Sequence, residues 1–201
     1  TLDRSSAASD VYKRQQDLHI EEVQPGDANR YRGAGGWTEF QTRRETLRVK
    51  GQEPLSITLR RTENGPVLPP GQLDLERILP AGHVATLSWT GGFGGDTSMS
   101  ALIGLMRAPE RQVAVEGLRR MVAPALLVTL ADDNGVGQVL AGALPGRSSA
   151  HQTAGRLPTP GWLPDNRWGK LLPAPDAMTT LAPASGMVAA TGAAQPDEPV
   201  L

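Results

Sequence analysis

Cysteine is absent from the 201 residues, which excludes disulfides and thiolate chemistry. The absence does not fix a compartment, because exported proteins can lack cysteine too. Aromatic residues are scarce at 4%, a lean supply for a core. Neither charge sign is in excess: 20 basic and 21 acidic residues give a formal net charge of -1, so no basic surplus argues for nucleic acid or an anionic membrane. Long apolar runs are missing as well. The longest is about ten residues and contains Pro124, against the roughly 20 that span a bilayer. Residues 1–16 are polar and lack the apolar stretch of a signal peptide, and the chain begins at Thr1 rather than Met. His19, His83 and His151 have no partner at i+3 or i+4 among themselves, which argues against zinc. The glycine run at 91–95 lacks the Lys-Ser/Thr of a phosphate loop and reads as a plain loop.

Apolar residues make up 39% of the chain, enough for a core. Gly 23 and Pro 17 are numerous, which predicts short strands and many turns rather than a helix bundle. Residues 1–15 are small, polar and unpatterned. They read as a disordered tail or as a non-native, adapter-like segment, and are set aside for fold reasoning. From Asp17 the pattern changes. Leu18 and Ile20 alternate with His19 and Glu21, a strand signal. Leu47 and Val49 share one strand face, and Leu55, Ile57 and Leu59 share another. A strand is expected at 84–89. Asp96 or Thr97 can then cap a helix in which Met99, Leu102, Ile103 and Met106 form one apolar face. A second, weaker helix follows Pro109, with Val115, Leu118 and Val122 on its face. A short apolar strand is expected at 186–191. The pattern is α+β, mostly antiparallel strands with two helices near 97–122.

The stretch 121–147 is the most ordered signal in the chain. An apolar run at 125–131 leads into Asp132-Asp133-Asn134-Gly135, a turn in which Asn-Gly readily takes positive φ angles, and 136–141 returns. Gly142 and Pro145 end the return strand just before Arg147. A rigid hairpin can present such a side chain to a pocket. Asp132 and Asp133 read as turn residues rather than a paired acid and base.

APALLVTLADDNGVGQVLAGALPGR, at 123–147, resembles a segment of the penicillin acylase (penicillin amidase) family. That segment reads Ala-Pro-x-x-Asn, an apolar strand, Ala-Asp, a turn with Gly and a final Pro-x-Arg. Further motifs keep the family's order: DLHIEE at 17–22, YRGAGGWTEFQTRRETLRVKG at 31–51, RRTENGPVL at 60–68, LSWTG at 87–91, LPTPGW at 157–162 and APASG at 182–186. The similarity covers 16–195, with a truncated end at 196–201.

The resemblance implies part of an αββα sandwich from an N-terminal-nucleophile hydrolase, a fragment of its β chain. In that family a precursor cleaves itself, and the new N-terminal Ser attacks a linear acyl amide such as a β-lactam side chain or an acyl-homoserine lactone. The nucleophilic Ser is expected upstream of this chain, since Ser5, Ser6 and Ser9 lack its sequence context. Arg147 matches the family's active-site Arg. Leu127 falls on the oxyanion Asn, where its side chain has no donor. Asp17 matches a position that supplies a structural calcium ligand, while Asn64 replaces the family's His and Gly192-Ala193 replace its Asn-Asn. The implied partners are a small acyl amide, the α chain and the rest of the β chain. The implied location is periplasmic or secreted. A non-catalytic homologue with a binding or scaffolding role is the alternative that Leu127 raises. Exposed strand edges and apolar faces are expected to make the isolated chain poorly soluble.

Overall fold

The computed structural model describes residues 5–10, 15–174 and 179–189. In chain order the strands are β1 (Ser5–Asp10), β2 (Gln16–Glu22), β3 (Arg30–Gly33), β4 (Gly36–Glu39), β5 (Gln41–Leu47), β6 (Leu55–Thr62), β7 (Gly65–Pro66) and β8 (His83–Trp89). The helices α1 (Ser98–Arg107) and α2 (Arg111–Leu118) follow. Then come β9 (Leu126–Asp132), β10 (Gly135–Ala141), β11 (Ala143–Pro145), β12 (Thr159–Pro160), β13 (Leu171–Pro173) and β14 (Thr179–Leu181). Strand pairing is antiparallel except between β12 and β2. The chain divides into two compact units, one of Gln16–Gly92 with Gly146–Gly169, the other of Thr1–Gln15, Phe93–Pro145 and Lys170–Leu201.

The helical unit is built on a sheet of order β1-β9-β10-β14. Register pairs Val128 with Val139 and Leu126 with Ala141, so alternate residues of both strands share one face. Val128, Leu130, Val139 and Ala141 bury that face with Ala114, Val115 and Leu118 of α2. Leu118 is fully buried, which contributes about 1.5–3 kcal/mol. The turn lies one residue earlier than Asn-Gly suggests. Asp132 pairs with Gly135 across Asp133-Asn134, and the positive φ, 117°, is at Gly135. Asp132, expected in the turn, is instead the last residue of β9, and Asp133 lies in the turn. Asp132 accepts from the Asn134 amide and from the Arg111 amide and forms an ion pair with the Arg111 guanidinium, tying the start of α2 to the hairpin.

Asp96 holds the start of α1, its Oδ1 accepting from the Ser98 amide. Of the four residues expected to form the apolar face, only Leu102 is turned to the core. Ala101 is buried and Leu102 and Leu105 pack against the core, whereas Met99, Ile103 and Met106 are exposed. Ser5–Asp10, inside the segment read as tail or adapter, pairs with β9. Backbone pairing at an open edge makes little demand on sequence, so a strand there agrees with either origin of the segment. The strand expected at 186–191 is not formed over its described part, 186–189. The C-terminal strand is Thr179–Leu181 instead. Gly192 and Ala193 lie outside the described residues.

The second unit carries the hairpin β5–β6 and the sheet β12-β2-β8. The hairpin shows both faces to solvent, leaving Leu47, Leu55 and Leu59 exposed rather than half-buried. In β2 the expected faces are inverted. Asp17, His19 and Glu21 are the buried residues, and Leu18 and Ile20 are only partly covered.

Candidate functional site

Alternation along β2 places Asp17, His19 and Glu21 on one side, facing the polar residues of β8. Asp17 is opposite Ser88 and His19 opposite Thr86, and all four side chains are buried. Such polar groups are tolerated inside only when they are hydrogen-bonded.

Asp17 is the anchor. Its Oδ1 accepts from Arg147 Nη2 at 2.6 Å, and its Oδ2 accepts from Arg147 Nε at 2.8 Å and from Trp168 Nε1 at 2.6 Å. The fork of Arg147 is therefore used bidentately, the geometry in which Arg–carboxylate pairs are strongest. Its guanidinium carbon also lies 5.7 Å from the Trp168 ring centroid. Burial alone would push the Asp17 carboxyl up. The Arg147 and Trp168 hydrogen bonds and the Arg147 charge outweigh it and hold the carboxyl below its ordinary range. The arrangement gives Arg147 a fixed position beside an open cavity of about 430 Å³, lined also by Ser148, Pro164, Arg167 and Trp168.

His19 shows how tightly the tautomers are set. Ser88 Oγ donates its single proton to the Asn64 carbonyl at 2.6 Å, so it accepts from His19 Nε2 at 3.0 Å. The ring is neutral with its proton on Nε2, and burial lowers its pKa to about 4. His151 Nδ1 accepts from the Thr153 amide, which leaves its proton on Nε2, 3.8 Å from Asp17 Oδ2.

Glu21 closes the row. Its Oε1 accepts from Thr62 Oγ1, Asn64 Nδ2 and Thr86 Oγ1 at 3.1, 2.9 and 2.9 Å. Its Oε2 is buried with no hydrogen-bond partner and rests against Gly161, where a Cβ would overlap it. Burial pushes this carboxyl above its ordinary range despite the three donors. A raised native pKa gives stability that is fully present below the unfolded pKa and is lost as pH rises through the native value. Glu21→Gln keeps the Oε1 acceptor and removes the titration. The variant is therefore expected to gain stability relative to the parent chain as pH rises from the ordinary carboxylate range through neutrality. Urea unfolding across that range checks it, and parallel curves for the two proteins would show that Glu21 does not titrate there.

Of the sequence candidates, Asp17 and Arg147 are brought together. Leu127 belongs to the other unit. It is partly buried, pairs with Leu140 and Ser9, and lies on the sheet side opposite Val128. Asn64, at the family's His position, is a buried donor to Glu21 and to the Gly161 carbonyl. The calcium expectation does not fit Asp17 in this arrangement. Both oxygens are engaged by Arg147 and Trp168, and a guanidinium in bonding contact opposes a divalent cation at the same carboxylate. No group of three or more acidic or His ligands forms among the described residues. His19, Glu21, His151 and Trp168 were not singled out from sequence as site residues. The available signal was parity, since His19 and Glu21 share a strand face with Asp17.

The described residues thus form an antiparallel α+β arrangement holding a buried Asp–Arg–Trp cluster. The penicillin amidase family model matches residues 7–199, and the chain belongs to that family of N-terminal-nucleophile amidohydrolases. It is 32% identical over 155 residues to an acyl-homoserine lactone acylase, QuiP, of Pseudomonas fluorescens, a match that covers 77% of this chain and 18% of that protein. The corresponding acylase of Pseudomonas aeruginosa is 28% identical over 157 residues, with 73% and 18% covered. A solved thermostable penicillin G acylase from Alcaligenes faecalis superposes with a TM-score of 0.80 at 22% identity, over 98% of this chain and 34% of that one. That likeness bears out the fold class expected from sequence. The chain spans about a fifth of the length of the acylases it matches.

Proposed function

We propose that residues 1–201 are part of the catalytic chain of an amidohydrolase that cleaves linear acyl amides, with acyl-homoserine lactones the favoured substrate class. The observation that carries this reading is the family match over 7–199 together with 32% identity to an acyl-homoserine lactone acylase. In the reading, an N-terminal Ser outside this chain attacks the amide carbonyl. Its hydroxyl proton passes through the Ser α-amine to the departing amine as the C–N bond breaks, and water then hydrolyses the acyl ester. Arg147, fixed by Asp17 and Trp168, contributes a positioned cation at the wall of the site. A periplasmic or secreted location goes with this reading by family kinship.

Leu127 supports a second reading. At the oxyanion position it offers no side-chain donor, and one such hydrogen bond contributes on the order of 3 kcal/mol to the barrier. A binding or scaffolding homologue would tolerate Leu there. The test uses the complete protein expressed from the reading frame that contains this chain. Mass spectrometry is expected to find a mature chain beginning with Ser, and Leu127→Asn is expected to raise turnover of an acyl-homoserine lactone by about a hundredfold or more. A complete protein with no Ser at a processing junction would leave the scaffolding reading standing. Unchanged turnover in Leu127→Asn would remove the oxyanion assignment alone.

A further inference from the structure

Helix α1 reads SMSALIGLMR, with no charged residue before its last position. Its inner side packs through Ala101, Leu102 and Leu105 into the core with α2. On its outer side Met99 is 71% exposed, Ile103 44% and Met106 81%. These positions follow i, i+4 and i+7, so they form a single stripe roughly 10 Å long. A helix at a permanent protein surface carries polar or charged residues on its outer face, and one that is apolar all round is covered on both sides.

Gly104 is an independent sign of the same thing. It sits in mid-helix beside Ile103, where glycine costs roughly 0.5–1 kcal/mol relative to Ala. A Cβ at Gly104 would meet nothing within 4 Å, so packing inside the described residues gives no reason for glycine. With the exposed Ser100 four residues earlier, it leaves a shallow place in the stripe where another backbone can approach closely. The polypeptide available to approach it is large, since the chain covers 18% of an acylase it matches and 34% of the solved penicillin G acylase.

We propose that the outer face of α1 is an interface, and that its occupant is an apolar, uncharged segment of the parent polypeptide outside residues 1–201. Met99, Ile103 and Met106 are the knobs of this contact and Gly104 its point of closest approach. The inference concerns assembly and does not depend on which amide, if any, the protein hydrolyses.

Thiol footprinting tests it, because the chain has no cysteine of its own. Ile103→Cys and, separately, Met106→Cys are placed in the complete protein. Alkylation is followed by mass spectrometry of the peptide that carries the new thiol. Asp133→Cys, in the exposed turn, reports general reactivity. The stripe thiols are expected to react about tenfold or more slowly than the turn thiol. Reaction at the rate of the turn thiol would overturn the proposal. So would protection that is lost on dilution, since the occupant would then be a second copy of this chain.

Discussion

Arg147→Met is expected to cost the protein about 3–5 kcal/mol, because it strands a buried carboxylate. Asp17 has 2% of its side chain exposed and Arg147 18%. The guanidinium fills both carboxylate oxygens, and without it Asp17 keeps the Trp168 indole but loses its cation. Paired changes separate the ion pair from packing. Asp17→Asn combined with Arg147→Met removes both charges and should recover much of the loss, since replacing both members of a buried pair is often close to neutral.

The pH dependence gives the same variant a second readout with a definite sign. In the parent protein the Asp17 carboxyl is held below its ordinary value. Its contribution is present above the unfolded pKa and is lost only as pH falls through the lower native value, so it is flat near neutrality. In Arg147→Met, burial is left to act without the guanidinium, and the native pKa moves above the unfolded one. Stability then falls as pH rises. The gap between parent and variant should be widest near neutral pH, narrow as pH falls into the ordinary carboxylate range, and close only below it. Urea unfolding at several pH values measures it. A gap of constant size would mean that Arg147 acts through packing rather than through the carboxylate.

What the sequence made legible followed from local pattern. The hairpin at 121–147 was readable because apolar alternation and a Gly-containing turn coincide, and β9 and β10 form where they were expected. The register of β2 was not readable in the same way. Hydropathy puts Leu18 and Ile20 inside, yet the structure buries Asp17, His19 and Glu21, because partners distant in sequence satisfy each of them. Arg147 is 130 residues from Asp17, and Trp168 is 151 away. Periodicity measures apolarity and does not register donors that arrive from elsewhere in the chain. Helix α1 failed for a related reason. Its apolar face was correctly detected, but pattern alone does not say which of two apolar sides meets the local core.

Gly65→Ala is expected to be as damaging as the loss of Arg147, although it adds a single methyl group. Gly65 holds φ at 136°, outside the region that L-residues adopt readily, and strain of this kind costs about 1–3 kcal/mol. The new Cβ would also overlap the Leu87 carbonyl, which is backbone of β8 and cannot swing aside. Overpacking of that sort adds roughly 1–3 kcal/mol, so about 2–6 kcal/mol is expected in all. The close passage matters because it delivers Asn64. From that position Asn64 Nδ2 reaches Glu21, and the Asn64 carbonyl receives the proton of Ser88, which sets the tautomer of His19. Gly51→Ala separates the two causes. Gly51 also has a positive φ, 79°, but a Cβ there meets nothing within 4 Å, so only the conformational part of the cost remains. Thermal and urea unfolding should place Gly51→Ala about 1–3 kcal/mol below the parent and Gly65→Ala further below it. Equal losses at the two sites would mean that β8 gives way to the methyl group, and that the Asn64–Glu21 row is not held by contact with the Leu87 backbone.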